Sequence, residues 1–240
     1  MTARVIVPTY NEKENLEPLV QQLLAQPLDL GVIVVDDNSP DGTGNIADRL
    51  ATEHPSRIQV IHRAGKLGLG TAYIAGFRRA LDEGADFIIT MDADFSHPPE
   101  KIPEMVAKAQ QGYDLVIGSR YVRGGRAVEC TLPRKALSWG ANAFARTLLG
   151  LKAHDTTAGF RCYRREVLAS IALDQIFSSG YSFLMEMLYM VQRGGWRVGE
   201  VPIIFCNRQQ GVSKISRNEI YKALYTVLRL FRRRIFARPA

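Results

Sequence analysis

The chain has 240 residues, 46% apolar and 23% charged, a balance that excludes disordered, collagen-like and low-complexity proteins. Its net charge of +7 is confined to one end: from Arg208 onward there are nine Lys or Arg and one acid, a net +8, while the other 22 bases and 23 acids come to −1. A body without surplus positive charge excludes a broad nucleic-acid-binding face, and no apolar stretch approaches the ~18–20 residues of a membrane-spanning helix.

Without a cleavable leader pattern, the N-terminus runs into residues 4–7, a β-branched run that reads as a strand. Leu16, Leu19, Val20, Leu23 and Leu24 then fall at helical spacing. A second strand is predicted over 32–35, ending in Asp36-Asp37-Asn38-Ser39. The turn residues Ser39-Pro40-Asp41-Gly42 precede a helix carrying Ile46, Ala47 and Leu50. Residues 58–61 read as a third strand. Gly65-Lys66-Leu67-Gly68-Leu69-Gly70 then opens a helix striped with Ala72, Ala75, Gly76, Phe77, Ala80 and Leu81. That glycine-rich loop lacks the Gly-Lys-Ser/Thr of a phosphate-binding P-loop. No Gly-x-Gly-x-x-Gly follows the first strand, which argues against a dinucleotide oxidoreductase. A fourth strand over 87–91 ends in Asp92-Ala93-Asp94, Pro98-Pro99 opens a helix, and a fifth strand over 115–117 ends in Gly118-Ser119-Arg120.

Beyond Arg120 the pattern changes. Gly124-Gly125 reads as a mobile loop, 132–151 as helical, 154–161 as irregular and polar, 183–191 as helical, and 196–205 as one strand by its alternation. Residues 218–236 form a basic amphipathic helix, with Ile220, Leu224, Val227, Leu228, Phe231 and Ile235 on one face and Lys222, Arg229, Arg232 and Arg233 mainly elsewhere. Such a helix suits a membrane surface or a partner helix; the alternative is a helix packed on the body with a solvated basic face. Cys130, Cys162 and Cys206 are odd in number and lack metal-ligand spacing, so they read as reduced thiols of a cytosolic protein.

Strand–helix alternation gives an α/β fold with a mostly parallel central sheet, whose ligands bind outside the carboxyl ends of the strands. The acidic and glycine-rich segments fall at those ends. Asp92 and Asp94 are two apart, so in extended backbone they share a side. Two hard oxygen ligands suit Mg²⁺ or Mn²⁺, which draws the rest of its shell from waters and substrate phosphates; the competing role for either Asp is a turn or helix start. Of Asp36 and Asp37, the second lies further past its apolar run and is the choice for ligand contact, with a turn role for its neighbour. Among Arg120, Arg123, Arg126, Arg134, Arg161, Arg208 and Lys214, each Arg taken singly reads as surface. Arg208-x-x-Gly211-x-Ser213-Lys214 is stronger, because glycine lets backbone and Lys214 approach a phosphate.

Taken together, Pro8-Thr9-Tyr10-Asn11-Glu12, residues 35–43, residues 92–98, Gly118-Ser119-Arg120-Tyr121 and the Arg208–Lys214 motif resemble a family 2 glycosyltransferase. More narrowly, the set is similar to polyprenol (dolichol) monophosphate mannose synthases without transmembrane helices. The similarity covers about residues 3–215 in order. It implies a GT-A fold and metal-dependent, inverting transfer of mannose from GDP-mannose to a polyprenyl phosphate. By motif position, Pro8, Tyr10, Glu12, Val35, Asp37, Asp92, Ala93, Asp94, Ser96, Arg208 and Lys214 would bind the nucleotide sugar. Asp92 and Asp94 would hold Mg²⁺ or Mn²⁺, and Arg120, Arg134 and Ser213 would meet the acceptor phosphate. Asp92, Asp94 and Arg120 would carry the catalysis. Members of the family often have Gln where Ser96 stands.

The expected division is a catalytic domain over 1–215 and a basic helix over 216–240. That helix would hold the protein to the cytoplasmic face of a membrane, alone or through a small membrane-anchoring partner. Rival readings are transfer of glucose or an N-acetylhexosamine from a UDP-sugar to a polyprenyl phosphate or glycan, and a non-catalytic sugar-nucleotide-binding protein.

Overall fold

Alternate residues of a strand face opposite sides of a sheet, and here that alternation divides the core in two. The computed structural model describes residues 1–128, 132–206 and 217–236. Its strands are β1 (Ala3–Thr9), β2 (Leu30–Asp36), β3 (Ile58–His62), β4 (Phe87–Thr90), β5 (Leu115–Ser119), β6 (Arg126–Val128), β7 (Arg161–Arg164), β8 (Val198–Pro202) and β9 (Ile204–Cys206). The α-helices are α1 (Leu16–Leu24), α2 (Thr43–Glu53), α3 (Leu69–Asp82), α4 (Ile102–Gln110), α5 (Leu132–Leu149), α6 (Arg165–Ser170), α7 (Tyr181–Arg193) and α8 (Arg217–Phe236).

Val5, Val7, Val32, Val34, Ile89 and Val116 pack with α1, α2 and α4, while Ile6, Ile33, Val35, Ile88, Leu115 and Ile117 pack with α3, α5, α6, α7 and α8. The result is a sheet buried on both faces, which is why its strands are nearly continuous apolar runs. Each fully buried Val, Leu or Ile contributes about 1.5–3 kcal/mol. On the second face α3 lies so close to β1 that a Cβ on Gly76 would stand 2.4 Å from Cγ2 of Ile6.

The seven-stranded sheet has the order β3-β2-β1-β4-β7-β5-β8, and β6 and β9 form a separate parallel pair. All neighbours in the main sheet are parallel except at β7, which runs antiparallel to both β4 and β5. The carboxyl ends of β1, β2, β4 and β5 therefore share one edge. Because β7 is reversed, its first residue, Arg161, starts at that same edge and brings the preceding loop, 154–160, with it.

Three local expectations change. Residues 161–164 form a central strand that the sequence left within or beyond an irregular stretch. Residues 196–205 form two strands, not one: the Ile203 N–H bonds to Ser119 O in the main sheet, and its carbonyl accepts from Arg126 N in the small one, so the chain changes sheets at that residue. The Gly124-Gly125 pair makes a tight turn on the end of β5, where a Cβ on Gly125 would lie 2.4 Å from Ser119 O. Helix α8 packs on α5 and α7 through Val227 and Leu230, yet its other side exposes Tyr221, Leu224, Tyr225, Leu228 and Ile235. No helix among the described residues is long and apolar enough to cross a membrane.

Candidate active site

At the carboxyl end of β2, Asp36 is consumed by structure. Its Oδ1 accepts from Thr9 Oγ1 at 2.9 Å and Ser39 Oγ at 2.6 Å, and its Oδ2 from Ser39 N at 3.1 Å, so it closes a turn and ties β1 to β2. Asp37, the residue expected to touch ligand, is buried with Arg63 Nη1 3.0 Å from its Oδ1. The ion pair is misaligned for a hydrogen bond, and that buried oxygen has no hydrogen-bond partner. Burial pushes the Asp37 carboxyl above its usual range, against the pull of Arg63 and with the Asp36 charge adding to the rise. An orphaned buried acceptor fits the N–H or O–H donors of a base or ribose.

The segment after β1 closes this pocket. Glu12 N donates to Thr43 Oγ1 at 3.0 Å and Glu12 Oε2 accepts from Asn15 Nδ2 at 2.8 Å. Exposed Tyr10 has Lys66 Nζ 4.3 Å from its ring centroid. The glycine-rich loop, uninformative by its spacing, thus brings a cation over Tyr10 and beside Asp37. Pro8 and Val35 are register partners on the adjoining strands.

Strand β4 ends at Thr90, so Asp92-Ala93-Asp94 lies in a bend, with Phe95 at φ 58°, and the extended-backbone argument for the pair does not hold. Loop hydrogen bonds orient the two carboxylates instead. Asp94 Oδ1 accepts from Ser96 N at 3.1 Å and Ser96 Oγ at 2.6 Å. Buried Ser96, where the family often has Gln, therefore directs its hydroxyl to Asp94. Asp92 Oδ1 accepts from Tyr73 Oη at 3.2 Å, and Asp92 N donates to His97 Nδ1 at 3.1 Å. The Asp92 side chain remains 35% exposed. Across from it, a Cβ on Gly159 would stand 3.7 and 3.8 Å from the two carboxylate oxygens, so glycine keeps that space open. Among the described residues no three His, Cys, Asp or Glu gather as a complete metal shell. Two carboxylates with open space beside them fit Mg²⁺ or Mn²⁺ completed by water and substrate phosphate.

Arg120, at the end of β5, is held by the loop before β7. Its Nε and Nη2 donate to the two oxygens of fully buried Asp155, each at 2.7 Å, and Nη2 also donates to Thr157 Oγ1 at 2.7 Å. Burial alone would raise the Asp155 carboxyl, but the charge and hydrogen bonds of Arg120 hold it below the usual carboxylate range. Glu200 on β8 anchors the same loop through His154 Nδ1 at 2.7 Å and Asp155 N at 3.0 Å. Asn142 on α5 accepts from Thr156 N and Oγ1 at 2.8 and 2.6 Å. Fully buried Arg161 gathers the carbonyls of Thr156, Ala158 and Leu184.

The structure thus brings Asp92, Asp94 and Arg120 into one charged neighbourhood around His97, whose ring feels all three. Asp37, Tyr10 and Glu12 line the adjoining part of the edge. Arg208, Ser213, Lys214 and the Arg134 side chain lie outside the described residues. The sequence reading gave no role to Tyr73, Arg63, Lys66 or Asp155: Tyr73 lies within a helix read only for its apolar stripe, and Asp155 in a stretch without periodicity. Of these, Lys66 alone carried a local signal, its glycine-rich loop.

Residues 4–172 match the domain described as glycosyl transferase family 2. The polyprenol monophosphomannose synthase of Mycolicibacterium smegmatis is 46% identical over 223 residues, covering 93% of this chain and 84% of that protein. The undecaprenyl-phosphate mannosyltransferase of Micrococcus luteus is 46% identical over 229 residues, covering 95% and 93%. Among solved structures, glucosyl-3-phosphoglycerate synthase from Mycobacterium tuberculosis with Mn²⁺, UDP and glucosyl-3-phosphoglycerate superposes with a TM-score of 0.66 at 20% identity, over 95% of this chain and 79% of that one. The same enzyme with Mg²⁺ and UDP gives 0.67. At that identity the likeness speaks for the fold, an α/β nucleotide-sugar transferase fold of the GT-A type.

Proposed function

The chain belongs to glycosyl transferase family 2, and on that premise we propose that it moves mannose from GDP-mannose to a polyprenyl phosphate. The observation that carries the reading is the open carboxylate pair Asp92 and Asp94 beside Arg120, in a chain 46% identical to two enzymes named for mannose or polyprenyl phosphate chemistry. Asp37, with its orphaned oxygen, and Tyr10, Glu12, Pro8 and Val35 would take the guanosine. Asp92 and Asp94 would hold Mg²⁺ or Mn²⁺ against the diphosphate, beside the Ala93 backbone, with Ser96 aligning Asp94. The bound cation would neutralise the diphosphate and the departing GDP.

The reaction asks little proton chemistry of the protein. A phosphate monoester oxygen of the acceptor is already anionic near neutral pH. It attacks the anomeric carbon as the bond to the β-phosphate oxygen breaks, and the electron pair leaves with GDP. In-line attack inverts the anomeric centre, turning an α-linked donor into a β-linked product. The main obstacle is bringing two anions together, which favours fixed cations over a general base. Arg120, rigidly aimed by Asp155, would meet the acceptor phosphate, with Arg134, Arg208, Ser213 and Lys214 as further contacts. Orientation alone can supply about 7–11 kcal/mol in favourable cases.

The acceptor lies in a bilayer, and α8 has the surface to reach one. Tyr221 is 67%, Tyr225 60% and Leu228 48% exposed, with Lys222, Arg229, Arg232 and Arg233 also exposed on the helix. We infer a catalytic unit over 1–215 and a peripheral membrane helix over 216–240, with or without an anchoring partner, on the cytoplasmic face. The test is transfer of labelled mannose from GDP-mannose to polyprenyl phosphate in vesicles with Mn²⁺ or Mg²⁺, with EDTA as control. Cation-dependent label in the lipid phase supports donor, acceptor and metal together. Label from a UDP-sugar in place of GDP-mannose would overturn the donor assignment.

A further inference from the structure

We propose that Tyr73 and His97 are positioning residues that fix the Asp92 carboxylate and thereby set the affinity of the site for a divalent cation. The inference rests on the reading of Asp92 and Asp94 as cation ligands. Tyr73 is fully buried on α3, its ring stacked at 6.2 Å on Phe77 and at 6.1 Å on Phe183. A ring so clamped has no freedom to redirect its hydroxyl. A buried hydroxyl is costly without a partner, and this one reaches Asp92 Oδ1 at 3.2 Å. Phenylalanine would fill the same stack, so packing does not require the oxygen. The carboxylate does, because one donated proton occupies Oδ1 from below and leaves Oδ2 and the outward lone pairs for a cation.

His97 holds the other side. Its ring is nearly fully buried, stacked on Phe160 at 5.3 Å and meeting Phe205 edge-on at 5.7 Å. The Asp92 N–H is a donor, so Nδ1, 3.1 Å away, must be the unprotonated nitrogen. The ring proton then sits on Nε2, which faces Asp92 Oδ2 at 4.0 Å. The backbone N–H and one carboxylate oxygen of this ligand are thus held by hydrogen bonds to two buried rings from different parts of the chain, and the other oxygen stays open. Partners of metal ligands typically change cation affinity about 10–100-fold when removed.

The experiment is a titration of the full chain with Mn²⁺ in the presence of GDP, following the paramagnetic signal of free Mn²⁺, with thermal melting alongside. Tyr73→Phe should weaken Mn²⁺ binding about tenfold or more while the melting temperature stays near that of the wild type. His97→Asn, whose amide oxygen can occupy the place of Nδ1, should stay near wild-type affinity, and His97→Phe, which keeps the stack and loses the acceptor, should fall about tenfold. Wild-type affinity in both Tyr73→Phe and His97→Phe would overturn the inference. Equal losses in His97→Asn and His97→Phe would remove His97 from it. A wild-type chain that takes up no Mn²⁺ would overturn the metal reading itself, and the inference with it.

Discussion

The two halves of the sheet edge are built differently. On the side of β1, β2 and β4, carboxylates find a partner two or three residues on, Asp36 in Ser39, Asp41 in Thr43 and Asp94 in Ser96, with longer ties added from Thr9 to Asp36 and from Tyr73 to Asp92. On the side of β5 and β7, partners come from far along the chain: Arg120 pairs with Asp155, Asn142 with Thr156, Glu200 with His154 and Asp155, Arg161 with the Leu184 carbonyl. The first half is a row of turns, each closed locally by its own carboxylate and cross-tied to its neighbour at a few points. The second is one interlocked assembly, so a change there spreads to stability and to the orientation of Arg120 at once.

Asp155→Ala probes the interlocked side and carries the largest expected effect. Removing one member of a buried ion pair costs about 3–5 kcal/mol, so urea unfolding should lose about that much stability and transfer should fall with it. An unchanged midpoint would mean that Arg120 does not depend on the loop. Asp94→Ala probes the local side. Loss of a cation ligand should lower transfer by about 10³-fold, the several kcal/mol of charge stabilisation at about 1.4 kcal/mol per tenfold, with the unfolding midpoint unmoved. Full activity in this variant would sink the metal assignment, and a large loss of stability would erase the contrast between the halves.

Acid probes one buried carboxylate from each side, Asp155 and Asp37, which are shifted in opposite directions. Asp155 is lowered by Arg120, so the unfolded chain binds its proton first as pH falls; the stability it contributes is present above the unfolded value of 3.8 and is lost as pH falls through the lower folded value. Asp37 is raised by burial, so the folded chain holds its proton longer, and its contribution declines as pH rises from 3.8 through the folded value. Urea midpoints against pH should therefore show a shallower acid loss in Asp155→Asn than in the wild type. Asp37→Asn should gain, relative to the wild type, as pH rises through that window. Parallel curves for all three proteins would contradict both assignments.

The same division explains what the sequence could tell. Strands β1, β2, β4 and β5 announce themselves because both faces are largely buried and most of their residues are β-branched or apolar. Strand β7 reads Arg161-Cys162-Tyr163-Arg164, and nothing local says that a guanidinium can be fully buried there; the carbonyls that satisfy it come from a loop and from α7. Asp92 and Asp94 were legible as a pair, but their orientation was not, since it depends on Ser96, His97 and a tyrosine 19 positions upstream. The turn role of Asp36 was legible from its place at the end of the apolar run, whereas the unsatisfied oxygen of Asp37 emerges only in the fold. Asp155 was hidden, because its role exists only once a reversed strand returns its loop to the active edge.

The outer face of α8 was half legible, and its test has the smallest expected effect. Six apolar residues at helical spacing suggested one face for a membrane surface or a partner helix, with packing on the body as the alternative. In the fold, Val227 meets the body, Phe231 is half-buried, and Leu224, Leu228 and Ile235 join Tyr221 and Tyr225 on the open side, beside exposed cations. Aromatic and aliphatic side chains with flanking Lys and Arg are a composition that a bilayer surface accepts. Leu228→Ser removes half-exposed apolar surface worth about 1 kcal/mol on insertion, so binding to anionic vesicles should weaken about fivefold. Melting temperature and transfer to a short-chain, detergent-dispersed acceptor should hold, because Leu228 supports neither the core nor the carboxylates. Raising salt should weaken the wild type and the variant alike, since the cations remain in both. Undiminished vesicle binding by Leu228→Ser would assign the open face to a protein partner instead of a lipid surface.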